Sequence, residues 1–212
     1  MSTTLTYTSN TTLAFTSSLT ASVVCIGAGG HGSPTGNGGS GGAYAATTKI
    51  LTGSFTIVVG LATATDGGKS TFTSASVIIC SAPGGKQDGT ITHQTALLTG
   101  STALYYGGHG SPDFVGYGSY NGSGGGAAGS SVGNGNDGQS AYYSTAEAPA
   151  LGGASTGAGA GGSGSFYYAG ARFNFVADAT VGTSPGGGGG GAYDYGIDRS
   201  ASGADGVVIV TF

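Results

Sequence analysis

Charge is scarce in this chain. Only 7% of its 212 residues are Asp, Glu, Lys or Arg, the formal net charge is −4, and the five basic residues, Lys49, Lys69, Lys86, Arg172 and Arg199, stand singly. No basic stripe exists to neutralise a phosphate backbone, so nucleic acid is not expected as a partner. Low charge also leaves little repulsion between copies, which favours a homo-oligomer. Tryptophan is absent and methionine occurs once. No apolar run is long enough to span a bilayer, so membrane insertion is not expected. The opening Met1-Ser2-Thr3-Thr4-Leu5-Thr6 has neither a basic n-region nor a continuous apolar stretch, and no secretory signal is read there. A surface protein without one leaves its cell by lysis, by a dedicated secretion route, or as part of a particle.

Cysteine is nearly as scarce. Cys25 and Cys80 each follow an apolar run, Val23-Val24 and Val77-Ile78-Ile79. Buried free thiols are the favoured reading and a disulfide between neighbouring strands is the alternative. Neither has a second Cys or a His at ligand spacing, so no metal site is expected there.

What is abundant is glycine, with 48 residues, six of them consecutive from Gly186 to Gly191. Disordered chains are poor in apolar residues and rich in net charge, whereas this one is 38% hydrophobic and weakly charged. It is expected to fold, in one or at most two domains. Residues 12–16, 21–26, 54–59, 76–80 and 207–212 are short, rich in Val, Ile, Thr and Phe, and bounded by turn residues. No window has a helical period. The expected fold is all-β, an antiparallel sandwich whose closing strand brings both chain ends into one sheet.

Residues 1–106 are assigned to the sandwich strands with a first glycine loop, and residues 207–212 to its closing strand. Residues 107–206 shift to Gly, Ala, Ser and Asn, with stretches such as Gly122-Ser123-Gly124-Gly125-Gly126-Ala127-Ala128-Gly129 that offer no hydrophobic face. They are read as long loops or as polyglycine II helices inserted in the same domain. A left-handed helix with three residues per turn has no internal hydrogen bonds, so its amides are free to bond to neighbouring helices where glycine permits close approach. A flexible linker is the less favoured reading, because Tyr105-Tyr106, Tyr142-Tyr143 and Tyr167-Tyr168 interrupt the glycines.

Several motifs mislead. Gly27-Ala28-Gly29-Gly30-His31-Gly32 fits a dinucleotide fingerprint, but Ser33-Pro34-Thr35-Gly36 cannot begin the helix that would face a pyrophosphate. Gly38-Gly39-Ser40-Gly41-Gly42 and Gly129-Ser130-Ser131-Val132-Gly133 match the serine-nucleophile pattern without a strand-turn-helix around them. No catalytic residue and no cofactor are therefore assigned. The carboxylates are spread singly and read as turn formers, with Asp194 and Asp198 beside Tyr193 and Tyr195 as the best candidates for a calcium or sugar contact. The hexapeptide Gly29-Gly30-His31-Gly32-Ser33-Pro34 recurs as Gly107-Gly108-His109-Gly110-Ser111-Pro112. It is read either as paired loops at one tip or as a coincidence of low-complexity sequence.

The order of blocks is distinctive. Ile26-Gly27-Ala28-Gly29-Gly30, Gly41-Gly42-Ala43-Tyr44-Ala45, Val58-Val59-Gly60, Gly67-Gly68-Lys69-Ser70-Thr71-Phe72, Ala82-Pro83-Gly84-Gly85, the six-glycine run and the Gly203-Ala204-Asp205-Gly206 ending follow one another. This layout resembles the glycine-rich domain of bacteriophage tail-fibre and other virion proteins. It is also similar to the glycine-rich extracellular region of the anaplastic lymphoma kinase receptor. The resemblance implies a non-enzymatic, jelly-roll-like sandwich with long glycine loops or a polyglycine helix bundle, used on a particle or cell surface. It transfers no binding residue.

The expected function is that of a phage virion structural protein, an exposed fibre, head spike or adhesin that contacts the host. The alternative is a self-assembling extracellular filament or sheath subunit. An ice-binding protein would need regular Thr or Ala rows, which the irregular Tyr-rich stretches do not supply. The expected location is the virion surface or the extracellular space, among other virion or filament subunits. The expected ligand is a bacterial surface glycan, for which Tyr105, Tyr106, Tyr117, Tyr120, Tyr142, Tyr143, His31 and His109 are the candidate contacts, since tyrosine provides stacking area at low entropy cost.

Overall fold

The computed structural model describes residues 2–87, 89, 103–111, 122–140, 149–155, 157–168, 174–192 and 199–212. Among them there is no helix. The strands are β1 (Thr4–Tyr7), β2 (Thr11–Ile26), β3 (Tyr44–Val58), β4 (Ser70–Ser74), β5 (Val77–Ala82), β6 (Ala103–Tyr105), β7 (Phe166–Tyr168), β8 (Asn174–Ala177) and β9 (Val207–Thr211). Seven form one antiparallel sheet in the order β1-β9-β2-β3-β4-β5, with β6 also on β3, while β7 and β8 make a separate hairpin. The closing strand β9 pairs with β1 in the register Thr4 to Thr211, so the chain ends share one sheet as expected.

Two long strands turn this sheet into two layers. The segments expected at 12–16 and 21–26 are one strand, β2, interrupted by a register shift between Phe15 and Leu19. Its partner β3 starts well before the expected residue 54 and carries Gly53 at φ +87° opposite Phe15. The β2–β3 pairing is interrupted there and resumes on either side. Residues 19–26 and 44–51 join β9, β1 and β6, whereas residues 11–15 and 53–58 join β4 and β5. Alternation decides which side chains lie between the layers. Val23, Cys25, Ala45, Val208 and Val210 from one layer meet Phe55, Ile57, Phe72, Cys80 and Ala82 from the other, all buried. Phe55 and Phe72 stack at 4.9 Å between centroids, and Phe15 meets both Phe55 and Phe212 edge-on. Each such burial contributes about 1.5–3 kcal/mol.

The β4–β5 hairpin turns on Ala75 (φ 43°) and Ser76 (φ 69°), left-handed conformations that a side chain resists. The expected strand at 76–80 accordingly starts one residue later. Ser76→Gly is expected to raise stability by roughly 0.5–1 kcal/mol, read as a higher urea midpoint at unchanged slope. A lower midpoint would show that the turn is held by the Ser76 side chain.

The odd-numbered core residues of β2 have even-numbered neighbours on the opposite face. Val24 and Ile26, with Tyr44, Ala46, Val207 and Ile209, form a second cluster that receives Ala128 and Ala158 from the glycine-rich segments. Strands continue directly into those segments at Ile26–Gly27, Val59–Gly60, Ala82–Pro83, Tyr105–Tyr106 and Gly206–Val207. The glycine segments are therefore stacked on one end of the sandwich.

These segments are ordered by backbone bonding with a strict period. The amides of Gly27, Gly30 and Ser33 donate to the carbonyls of Ala43, Ser40 and Asn37; those of Ala28 and His31 to Gly68 and Thr65; those of Gly29 and Gly32 to Ala204 and Ala201. Three successive amides thus address three different neighbours, and the fourth returns to the first. Residues 38–43, 122–129 and 187–192 obey the same rule. Stretch 186–192 donates to 30–33, 123–126 and 180–183, and accepts from 39–42, 162–165 and 201–204, giving it six neighbours, some parallel and some antiparallel. Glycine is required by the spacing: a Cβ at Gly161 would lie 1.9 Å from the Gly125 oxygen, and one at Gly32 1.9 Å from that of Gly190. The bundle draws on residues 27–43, 60–68 and 83–89 as well as on the expected 107–206.

Candidate functional site

Connections between rods lie at both ends of the bundle: the turns at 130–133 and 183–186 sit beside the sandwich, where Gly186 approaches Ile26 and Ala128, and others lie at the end farthest from the sheet. Ser33 donates its amide to Asn37 across a tight turn, Ala192 to Ser33, Ser123 to Gly36, Gly122 to Ser165, Ser165 to Gly191, and Gln139 to Leu151. These bonds place rod ends side by side. The stretches 112–121, 141–148, 169–173 and 193–198 lie outside the described residues; their described neighbours in the chain are Ser111 and Gly122, Ser140 and Pro149, Tyr168 and Asn174, and Ala192 and Arg199. Four of the expected contact residues, Tyr117, Tyr120, Tyr142 and Tyr143, lie in those stretches, as do Asp194 and Asp198.

The other four expected residues are described and are not brought together. Tyr105 ends β6 beside the sandwich, half-buried, with its ring 6.1 Å from that of Tyr44 and packed against the cluster of Ile26, Ala128 and Val207. Packing is its role there. Burial pushes the Tyr44 phenol up, with smaller contributions from Cys80 and Tyr105. Tyr106 is half-buried, and its amide donates to Asn134 Oδ1. His31 is half-buried with Nδ1 3.5 Å from Ser200 Oγ, whereas His109 is exposed with Nδ1 3.4 Å from the Gly89 oxygen.

The repeated hexapeptide occupies rods, not paired loops. Both copies run antiparallel to residues 36–43, which accept from Gly30 and donate to Gly108, so the two histidines sit on different flanks of that rod. Among the described residues no group of three or more His, Cys, Asp or Glu converges. The cavity bounded by Ser40, Gly41, Ala43, Pro83, Gly84 and Gly107 has a volume of about 10 Å³, the size of one water molecule. Among the described residues the ion pairs are at the surface, Lys86 with Asp66 at 2.5 Å and Arg199 with Asp178 at 3.0 Å. Such pairs are worth little in water.

Sequence reading missed a set of side chains that finish the bundle at its rim. Asn134 and Asp137 accept the amides of Tyr106 and His109 through their side-chain oxygens, and Thr180 and Thr183 accept those of Ser163 and Ala160. The signal was their spacing of three, the same period as the backbone bonding. One buried hydroxyl, Ser165 Oγ, has no hydrogen-bond partner, at the root of the β7–β8 hairpin.

A family model described as a glycine-rich domain matches residues 3–212. No curated protein matches the chain.

Proposed function

The chain belongs to the glycine-rich domain family, and from that premise we propose that it is a non-enzymatic structural protein of a phage particle, a fibre, spike or adhesin exposed to the host surface. Its sandwich is jelly-roll-like, and its glycine rods are polyglycine II helices, a form supported by the three-residue period of the amides and by six neighbours around residues 186–192. The observation that carries the functional reading is the gathering of the rod ends at Ser33, Asn37, Gly122, Ser165 and Ala192 at the end of the bundle farthest from the sheet. A bundle held by backbone bonds has little use for side chains inside it, so side-chain chemistry is relegated to the ends where the rods are joined. Tyr117, Tyr120, Tyr142 and Tyr143 lie outside the described residues, between Ser111 and Gly122 and between Ser140 and Pro149 in the chain. The ligand is a bacterial surface glycan, gripped by stacking on tyrosine faces, and no cofactor takes part.

Cosedimentation of the purified protein with intact bacterial cells tests this. Changing Tyr117, Tyr120, Tyr142 and Tyr143 together to alanine is expected to weaken binding at least about tenfold, with the melting temperature unchanged. Tyr105→Ala is expected to do the reverse, lowering the melting temperature and sparing binding, because its ring packs on Tyr44. A quadruple variant that loses stability before binding would assign those tyrosines to packing.

A filament or sheath subunit is the second reading. It is favoured by the low charge and by apolar side chains left open on the sandwich, Ile50 at 73% exposure and Val77 at 65%. Long filaments formed by the protein alone, without cell binding, would make that reading the correct one.

A further inference from the structure

The sandwich carries two nucleophilic side chains that the proposed function does not use. Cys25 lies in β2, flanked on both sides by β3 and β9, and Cys80 lies in β5 at the edge of the other layer. Both are buried, at 0% and 1% exposure, and both belong to the core between the layers. Their backbones bring them together. Ala45 is the register partner of Cys25, and the Cys80 thiol points at the Ala45 oxygen from 3.5 Å and at the Val23 oxygen from 3.8 Å. The Cys80 thiol thus faces the stretch of β2 and β3 that holds Cys25, and burial first, then a hydrogen bond with Cys80, holds the Cys25 thiol well above its usual range.

We propose that Cys25 and Cys80 are a disulfide-forming pair that fastens the two layers of the sandwich when the chain folds in an oxidising solution. The co-reactant is a low-molecular-weight disulfide. Cys80 reacts first, because among the described residues β5 has β4 as its one strand partner and opens more readily than β2, which is paired on both sides. Its thiolate attacks the small disulfide, giving a mixed disulfide and releasing one small thiol. The Cys25 thiolate then attacks the Cys80 sulfur, forming the internal bond and releasing the second small thiol. Two protein thiols are oxidised, one small disulfide is reduced to two thiols, and the two protons pass to the departing thiolates. The same burial that raises the Cys25 thiol shields both sulfurs once the core has closed, so the folded reduced protein is inert and the oxidation state is set during folding.

The test is refolding of the full chain from denaturant with either reduced or oxidised glutathione, followed by intact mass, thiol titration in denaturant and thermal melting. With oxidised glutathione the expected product is a monomer lighter by two hydrogens, with no titratable thiol and a Cys25–Cys80 peptide cross-link. It should melt roughly 5–10 °C above the reduced form, a gain abolished by dithiothreitol. Cys80→Ala refolded in the same way should keep one free thiol and show no gain. Folded monomer with both thiols free, stable glutathione adducts, or cross-linked dimers would each overturn the proposal. Should refolding fail, secretion of the chain into an oxidising bacterial compartment provides the same mass and thiol readouts.

Discussion

Gly125→Val is expected to yield no cooperatively folded protein, while Gly133→Ala melts like the parent. Gly125 lies in a rod whose neighbours include residues 186–192, and a Cβ there would lie 2.4 Å from the Gly188 oxygen and 2.6 Å from that of Gly189. Both are backbone atoms of another rod, so no side chain can rotate away. Accommodating the group means separating rods that are joined by the bonds from Gly188 to Gly126 and from Gly191 to Ser123. Overpacking in an ordinary core costs about 1–3 kcal/mol, and every stretched amide bond adds about 1 kcal/mol. Several rods share the displacement, so the sum reaches the scale of a domain's whole stability. Gly159→Val is expected to behave alike, since its Cβ would lie 1.9 Å from the Thr183 oxygen. Gly133 has open space where its Cβ would go, which makes it the better control than Ser130, whose side chain is buried. Circular dichroism and thermal melting of the three variants read the outcome; a Gly125→Val protein with a parental melt would mean that the rods are not packed at these distances.

Removing residues 207–212 is expected to abolish folding outright. Strand β9 is internal, bonded to β1 on one side and to β2 on the other. Its loss strips β1 of its sheet partner, leaves one edge of β2 open over residues 22–26, and takes Val208 and Val210 out of the core between the layers. It also removes Val207 from the cluster that seats Ala128 against the sandwich, so the glycine rods lose part of their footing. Leaving two buried valines out of a core costs several kcal/mol, about 1.5–3 each, before any strand pairing is counted. A truncated chain that still shows a sharp thermal transition would contradict the strand order.

The sandwich was legible because its strands carry the usual marks. Runs such as Val77-Ile78-Ile79 and Val207-Val208-Ile209-Val210 are β-branched and bounded by turn residues, and they are strands. What stayed hidden was length. Residues 44–53 read as Ala, Thr and Lys without a clear apolar alternation, yet they form the first half of β3, because Ala45 and Thr47 face a layer crowded enough to want small side chains. The hairpin of β7 and β8 was seen only as aromatics interrupting glycines. For the candidate site the limit was different in kind. Tyrosines were visible as a residue type, but whether one packs or is displayed depends on which rod end it follows, and no local pattern distinguishes Tyr105 beside the sandwich from the tyrosines beyond Ser111 and Ser140.

The period of the amides also dictates how such a chain can change length. One residue inserted into residues 122–129 would turn every later amide of that rod by about a third of a revolution, away from its acceptor and towards a different neighbour. Only insertions in steps of three keep the addresses, and those lengthen a rod past the neighbours that satisfy it. The turns at the far end obey no such arithmetic, so sequence can be added or lost there without disturbing the bundle. Variation in length is thereby channelled out of the rods and into the turns that join them.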